Sequence, residues 1–369
     1  MKEKKVLNNG NIHTRQTRVT LFDVAAAAGV SKSTVSRILD ERLPRSENPT
    51  AKRVRKVAAE LGYVRDVSAA NQRRGKTMTI GVIVPRLTDT VMAMFYESLA
   101  HACNRAGQFA IVATTDDKPN ADRAAAETLL NRGVDGLVLS TARNGDDFPQ
   151  ELEARGVPFV LALRTDGKSL SSIGDDQLGG YLATRYLLDL GHRRIGLIAG
   201  PPYASSAQGR AKGYKQAMAE AGVAIDPAWV VTSAFGIDSG ADAAEKIIRL
   251  SPRPTALFAV NDNTAIGALS ALTKFGFSIP DDISLVGYND IPIVSSLPTP
   301  LTTVRVPFDQ IAAAALELLT SDLVEEHSRI MAIIPITVFI ILLLSFDWYN
   351  TIGTTIGYQV RPELPMRIS

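Results

Sequence analysis

Seven consecutive residues, Ser31 to Arg37, set four hydroxyls (Ser31, Ser33, Thr34, Ser36) and two cations (Lys32, Arg37) around one apolar side chain, Val35. Short hydroxyl side chains let a backbone come close to phosphate oxygens. Lys and Arg reach phosphates or base edges, and Arg can grip guanine with two bonds. The chemistry this set supports is recognition of a polyanion. The surrounding pattern says how it would be held. Leu21, Val24 and Ala25 share one helical face, Gly29 breaks the pattern, and Val35, Ile38 and Leu39 share a face of the next helix. Gly29 permits the left-handed turn that ends a helix, and Ser31 can cap the helix that follows. This is helix-turn-helix spacing, with the apolar residues turned inward and Lys32, Ser33, Ser36 and Arg37 left outside. A third helix is expected over "PTAKRVRKVAAELGY", capped by Thr50, with Val54, Val57, Ala58 and Leu61 on its buried side.

Charge distribution agrees with a polyanion-binding head. Residues 1–76 hold 17 Lys/Arg against 7 Asp/Glu, a net +10, while residues 77–369 hold 23 against 31, a net −8. An apolar fraction of 46 % and a charged fraction of 21 % are globular composition, and 369 residues exceed one ordinary core. The single cysteine, Cys103, suits a reducing compartment, and the N-terminal stretch lacks the apolar core of an export signal, so a cytoplasmic chain is expected.

"VTLFDVAAAAGVSKSTVSRILDE", "KRVRKVAAELGYV" and "RRGKTMTIGVIVPRL" resemble the start of the lactose-repressor/galactose-repressor (LacI/GalR) family of bacterial transcription regulators. The similarity continues to about residue 320 through "LGHRRIGLIAGP", "GRAKGY", "AVNDNTAIGAL", "DDISLVGYNDIP" and "PLTTVRVP". The resemblance implies an α-helical helix-turn-helix headpiece (residues 18–64), a linker (65–77), and a two-lobed α/β, periplasmic-binding-protein-like effector and dimerisation domain (78–320). It implies operator bases at Lys32, Ser33 and Arg37, with Thr34 and Ser36 nearer the phosphates and Thr20 and Ser31 in the same DNA-facing set. In the family the linker forms a hinge helix whose leucine wedges into the minor groove. Here that position holds Gln72, whose amide needs polar partners where leucine needs none. Arg73 and Arg74 either keep a phosphate contact or belong to a flexible basic linker.

Beyond residue 78, short apolar runs ("TIGVIVP", "FAIVATT", "GLVLS", "PFVLAL", then "RIGLIAG", "WVVTSAF", "TALFAV", "SLVGYND") alternate with helical stretches. The pattern predicts two parallel sheets with helices on both faces. Ligands of such sheets bind beyond the carboxyl ends of strands. The polar residues there are Asp89, Arg164, Asp175 and Asp176 in the first series, and Arg210, Asn261, Asp262, Asn289 and Asp290 in the second. Such a set can hold a polyol through paired donors and acceptors. Asp175 and Asp176 fit helix caps equally well. The resemblance singles out Arg210, Asn261 and Asn289 as effector contacts, and Asn289 replaces the aspartate of many sugar-binding members.

The four histidines (His13, His101, His192, His327) are scattered, and no GxSxG, GxGxxG or GxxxxGK motif occurs. No enzyme, metal or cofactor is expected. Residues 321–369 read as an atypical segment, with an uncharged 17-residue run at 330–346. As a helix this run would span about 25 Å, slightly short of a ~30 Å bilayer core. Pro335 and the many β-branched residues suit packed strands. Packing on the second lobe or a partner subunit is preferred here, with a membrane segment and an aggregation-prone tail as alternatives. The expected whole is a homodimeric or higher even-order repressor of operator DNA, responsive to a small polar, sugar-like effector. Membrane-tethered or hinge-impaired regulators and a solute-binding protein are its rivals.

Overall fold

The computed structural model describes residues 19–40, 43–63, 76–321, 331–334 and 337–339. The chain divides into two compact units between Lys76 and Thr77. The first unit is helical: α1 (Leu21–Ala28), α2 (Lys32–Ile38) and α3 (Pro49–Glu60). Thr20 and Asp23 close a capping box at the start of α1. Gly29 ends that helix at φ +62°, with nothing near enough to touch an added Cβ, so its backbone angle is what the turn requires. Ser31 then caps α2 by accepting from the Thr34 amide at 3.2 Å. Asn48 caps α3, accepting from the Ala51 amide at 2.7 Å. This corrects the expected cap at Thr50: Pro49 has no N–H and belongs at the first helical position, so the cap falls before it. Val24, Ala25, Ala28, Val35, Val54 and Ala58 form the small core. Leu61, expected inside, is 40 % exposed because the helix has already ended at Glu60.

The second unit has two lobes. The first carries β1 (Thr79–Val84), α4 (Thr90–Arg105), β2 (Phe109–Thr114), α5 (Pro119–Asn131), β3 (Gly136–Leu139), α6 (Phe148–Ala154), β4 (Phe159–Ala162) and β5 (Ser171–Gly174). The other is built from α7 (Asp176–Asp189), β6 (Ile195–Ala199), α8 (Ser205–Glu220), β7 (Val230–Thr232), α9 (Ile237–Ile248), β8 (Ala256–Ala259), α10 (Asp262–Lys274), β9 (Ser284–Asn289) and β10 (Thr302–Arg305). The chain then returns with α11 (Phe308–Thr320), which packs on α4, β3, β4 and β5. Finally β11 (Met331–Ile334) joins the first sheet and β12 (Thr337–Phe339) the second.

The strand orders are β2-β1-β3-β4-β5-β11 and β7-β6-β8-β9-β10-β12. Pairing is parallel throughout except for β12, which runs antiparallel to β10. The central strands are apolar along their length because helices cover both faces. In each sheet the order reverses between the first and third strands, β1/β3 and β6/β8, so each lobe opens a crevice at the carboxyl ends of those pairs.

The run at 330–346 departs from a membrane helix where it is described. Met331–Ile334 pairs with Ser171–Gly174, and Thr337–Phe339 pairs with Thr303–Arg305. β-Branched residues satisfy their backbone in a sheet edge as readily as in a helix, and Pro335 falls between the strands. Residues 340–346 lie outside the described residues. Among the described residues no helix is long and apolar enough to cross a membrane. Residues 331–334 are therefore part of the first sheet and residues 337–339 part of the second.

Candidate functional site

The two crevices face one cavity of about 190 Å³ between the lobes. A single water needs only about 10–15 Å³ of such space, so the cavity has room for a small organic molecule. Its wall is highly charged. Arg164 follows β4 and is 4 % exposed. It donates to both carboxylate oxygens of Asp117, at 2.9 and 3.3 Å. Asp117 lies just past β2, and both it and Asp116 have left-handed backbones, at φ +59° and +55°. Tyr203, from the loop after β6, donates its hydroxyl to the same carboxylate at 2.8 Å. Arg143, from the loop after β3, donates to the Asp117 carbonyl and stacks 3.7 Å over the Tyr203 ring. Burial alone would raise the Asp117 pKa, but the Arg164 charge and hydrogen bonds outweigh it and hold the carboxyl below its ordinary value.

A second pair stands on the other side. Arg210 donates to Asp176 at 2.8 Å and to the Val260 carbonyl at 2.7 Å, and lies 3.8 Å over the Tyr288 ring. Their helices, α7 and α8, approach through glycines. A Cβ on Gly180 would collide with the Arg210 backbone, and one on Gly213 with the Gln177 carbonyl. Asp89 caps α4 through the Val91 amide at 3.1 Å and accepts from Asn263 of the opposite lobe at 3.0 Å. Burial raises its pKa. Asn261 caps α10 and donates to the Phe235 carbonyl at 3.0 Å. Asn289 ends β9 at φ +114°, a strained angle for any side chain, and faces the cavity.

Of the expected effector contacts, Asp89, Arg164, Arg210, Asn261 and Asn289 lie on the cavity wall, and Asp175 and Asp262 do not. Asp175 accepts from the Leu178 amide at 2.9 Å, the helix-cap role its position also allowed. Its neighbour Asp176 takes the wall position instead. Asp262 points inward, accepting from the Thr303 hydroxyl at 2.6 Å and the Ile291 amide at 2.9 Å, and burial pushes it up to about 7. Asp290 pairs with Arg305 at 2.6 Å. Sequence reasoning missed Asp117, Arg143, Tyr203 and Phe235. Each follows a strand of the alternating series, in "TTDD", "STAR", "GPPY" and "TSAF", so the rule that flagged Arg164 also reaches them. His192 is held by the Thr255 and Ser284 hydroxyls at 2.9 and 3.0 Å, a structural role.

In the helical unit Lys32, Ser33, Ser36 and Arg37 are exposed together on α2. Thr34 is half-buried, and its hydroxyl meets Ser31 at 2.8 Å. The Thr20 and Ser31 oxygens, expected to face DNA, are occupied as helix caps, which leaves them exposed but already bonded. Gln72 and Arg73 lie outside the described residues. Among the described residues no group of three or more His, Cys, Asp or Glu could hold a metal ion.

Comparison with known proteins matches residues 20–66 to "Bacterial regulatory proteins, lacI family" and residues 184–340 to "Periplasmic binding protein-like domain". The ribose operon repressor of Haemophilus influenzae is 34% identical over 304 residues, covering 81% of this chain and 90% of that protein. The HTH-type transcriptional repressor PurR of Vibrio campbellii is 32% identical over 314 residues, covering 84% and 94%. Among solved structures, the Lac repressor bound to ONPG in the repressed state is similar at 28% identity and a TM-score of 0.77, covering 87% of this chain and 98% of that one. A complex of the transcriptional regulator CelR with cellobiose is similar at 28% identity and a TM-score of 0.66, covering 86% and 98%. On this similarity, and on a helix-turn-helix and two-lobed body present in one polypeptide, the chain belongs to the lacI family of bacterial regulatory proteins.

Proposed function

We propose that the chain is a sequence-specific DNA-binding repressor whose operator affinity is set by a small polar effector held between the lobes. The observation that carries this reading is the joining, in one chain, of the exposed α2 face (Lys32, Ser33, Ser36, Arg37) to a two-lobed body with a charged inter-lobe cavity. The effector contacts assigned are Asp89, Arg143, Arg164, Asp176, Arg210, Asn261 and Asn289. Similarity to repressors of ribose operons, to PurR and to a cellobiose complex supports a small polar ligand. A Lac repressor dimer bound to operator, 27% identical at a TM-score of 0.76, supports a homodimer reading a near-palindrome. The chain would then act in the compartment that holds the chromosome, without a catalytic step.

Among the described residues four hydrogen bonds span the lobes beside the cavity: Asp117 with Tyr203, Asp89 with Asn263, the Thr165 amide with Ser205 at 2.8 Å, and the Asn144 amide with the Tyr203 carbonyl at 2.9 Å. A ligand that changes these contacts changes lobe closure, and any coupling to DNA is reciprocal. The test is selection from random duplex DNA at near-physiological salt by the full chain and by Gln72→Leu. Enrichment of a near-palindrome by the unaltered chain supports a conventional operator reader; enrichment by neither protein overturns the reading. Operator titration with and without ligand then tests the allosteric step, and identical curves overturn it.

A further inference from the structure

The proposed effector site leaves open what kind of molecule it takes, and the first-lobe wall carries information on this. Two guanidinium groups, Arg143 and Arg164, converge on one side chain, the Asp117 carboxylate. Arg164 is almost wholly buried, and the Arg143 Nε has no hydrogen-bond partner. A second carboxyl, Asp122, is buried near Arg143 but lies off the cavity wall. The cavity wall as a whole balances four arginines (Arg86, Arg143, Arg164, Arg210) against four aspartates (Asp89, Asp116, Asp117, Asp176), but at this corner two guanidinium groups share the single Asp117 carboxylate.

That anion is delivered in an unusual way. Asp116 and Asp117 are consecutive non-glycine residues with left-handed backbones, a conformation that disfavours L side chains. The turn directs the Asp117 carboxylate onto the fork of Arg164, in the two-bond geometry by which an Arg binds a ligand carboxylate or phosphate. The rings of Tyr203 and Phe235 flank the arginines, Tyr203 at 3.7 Å from Arg143 and Phe235 at 5.4 Å from Arg164. The cluster is an oxyanion site already filled by the protein's own carboxylate.

We infer that the effector carries an oxyanion, a phosphate or a carboxylate, which binds Arg143 and Arg164 in place of Asp117. This rests on the effector reading above. It adds a means of sensing, because Asp117 also accepts the Tyr203 hydroxyl from the opposite lobe. An oxyanion that takes the arginines from Asp117 also releases this bond between the lobes. A neutral ligand could occupy the rest of the cavity and leave that bond intact.

The test is calorimetric titration of the full-length protein with inorganic phosphate and, separately, acetate, at an ionic strength fixed with chloride. Asp117→Asn removes the internal competitor, so it should bind one of the two anions at least tenfold more tightly than the unaltered protein. The anion that gains more identifies phosphate or carboxylate as the group recognised. Adding Arg164→Gln to Asp117→Asn should abolish the isotherm. Absence of binding of either anion by folded Asp117→Asn overturns the inference, as does binding that survives loss of Arg164. Should Asp117→Asn fail to fold, the unaltered protein titrated with ribose and ribose 5-phosphate decides. At least tenfold tighter binding of the phosphate ester supports the inference, and equal, weaker or absent binding of it overturns it. If neutral ribose raises the melting temperature and alters operator binding while anions do nothing, the effector site stands and only its anionic character falls.

Discussion

Asp176 and Arg210 lie 2.8 Å apart although 34 residues separate them. What brings them together is the close approach of α7 and α8 over Gly180 and Gly213. Arg210 is buried and the Asp176 side chain is only 11% exposed, and the Val260 carbonyl and the Tyr288 ring hold Arg210 from two further directions. Replacing Arg210 with Met would leave a buried carboxylate without its partner, a loss of about 3–5 kcal/mol. Urea unfolding at neutral pH should show this. The double variant Asp176→Asn/Arg210→Met should recover part of the loss, since no charge is then left unpaired.

Asp262 should make stability fall as pH rises. Its folded pKa, about 7, exceeds the ordinary carboxylate value near 4, so the native state binds the proton more tightly than the unfolded chain. The contribution is fully present below about pH 4 and is lost as pH rises through about 7. Asp122, pushed up to about 6 by burial, acts in the same direction over a window about one unit lower. Urea midpoints for the unaltered protein should fall between pH 5.5 and 8, and Asp262→Asn should flatten the upper part of that slope. An unchanged slope in the variant would mean that Asp262 is ionised throughout.

On α2, Arg37 and Lys32 should separate by the kind of contact they make. An Arg that reads guanine in two bonds loses about 1–3 kcal/mol of sequence discrimination when truncated. A Lys on a phosphate weakens all sequences alike and reduces the salt slope by about one. Fluorescence anisotropy with selected operator and scrambled DNA at several salt concentrations distinguishes the two for Arg37→Ala and Lys32→Ala. Both residues are exposed, so the melting temperature should stay unchanged.

Removing residues 331–339 would leave β5 and β10 as open edges of their sheets. Exposed edges pair with other chains. The deletion variant should melt at a lower temperature than the full chain and scatter more light on storage at the same concentration. Equal melting and scattering would show that β11 and β12 contribute little to either lobe.

The sequence made the strands legible wherever both faces are covered, because a buried parallel strand needs an unbroken apolar run. β5 escaped that rule. Ser171 and Ser172 are fully buried, but their hydroxyls are satisfied by Thr165, the Ser169 carbonyl and the Ile311 carbonyl, so "SSIG" reads as a loop. The turn at Gly29 and the cap at Ser31 were readable because their chemistry is local. For the cavity, strand ends identified positions, but partners stayed hidden. Asp117 meets Arg164 across 47 residues and Tyr203 across 86, and no local spacing encodes such pairings. The choice between Asp175 and Asp176 depended on the first turn of α7, where one residue caps the helix and the next faces Arg210.

The chain passes between the lobes at Gly174–Asp176 and at Arg305–Phe308, and the cavity floor contains Gly174, Asp176, Val306 and Phe308. The surface proposed to read the ligand thus lies at crossings that would serve as the fulcrum for any turning of the lobes. A contact made at a fulcrum acts through a short lever arm, and its small displacement is magnified at the far ends of both lobes. Substitutions that retune ligand choice on this floor also retune the mechanics. Under the proposed function, specificity and responsiveness would therefore change together.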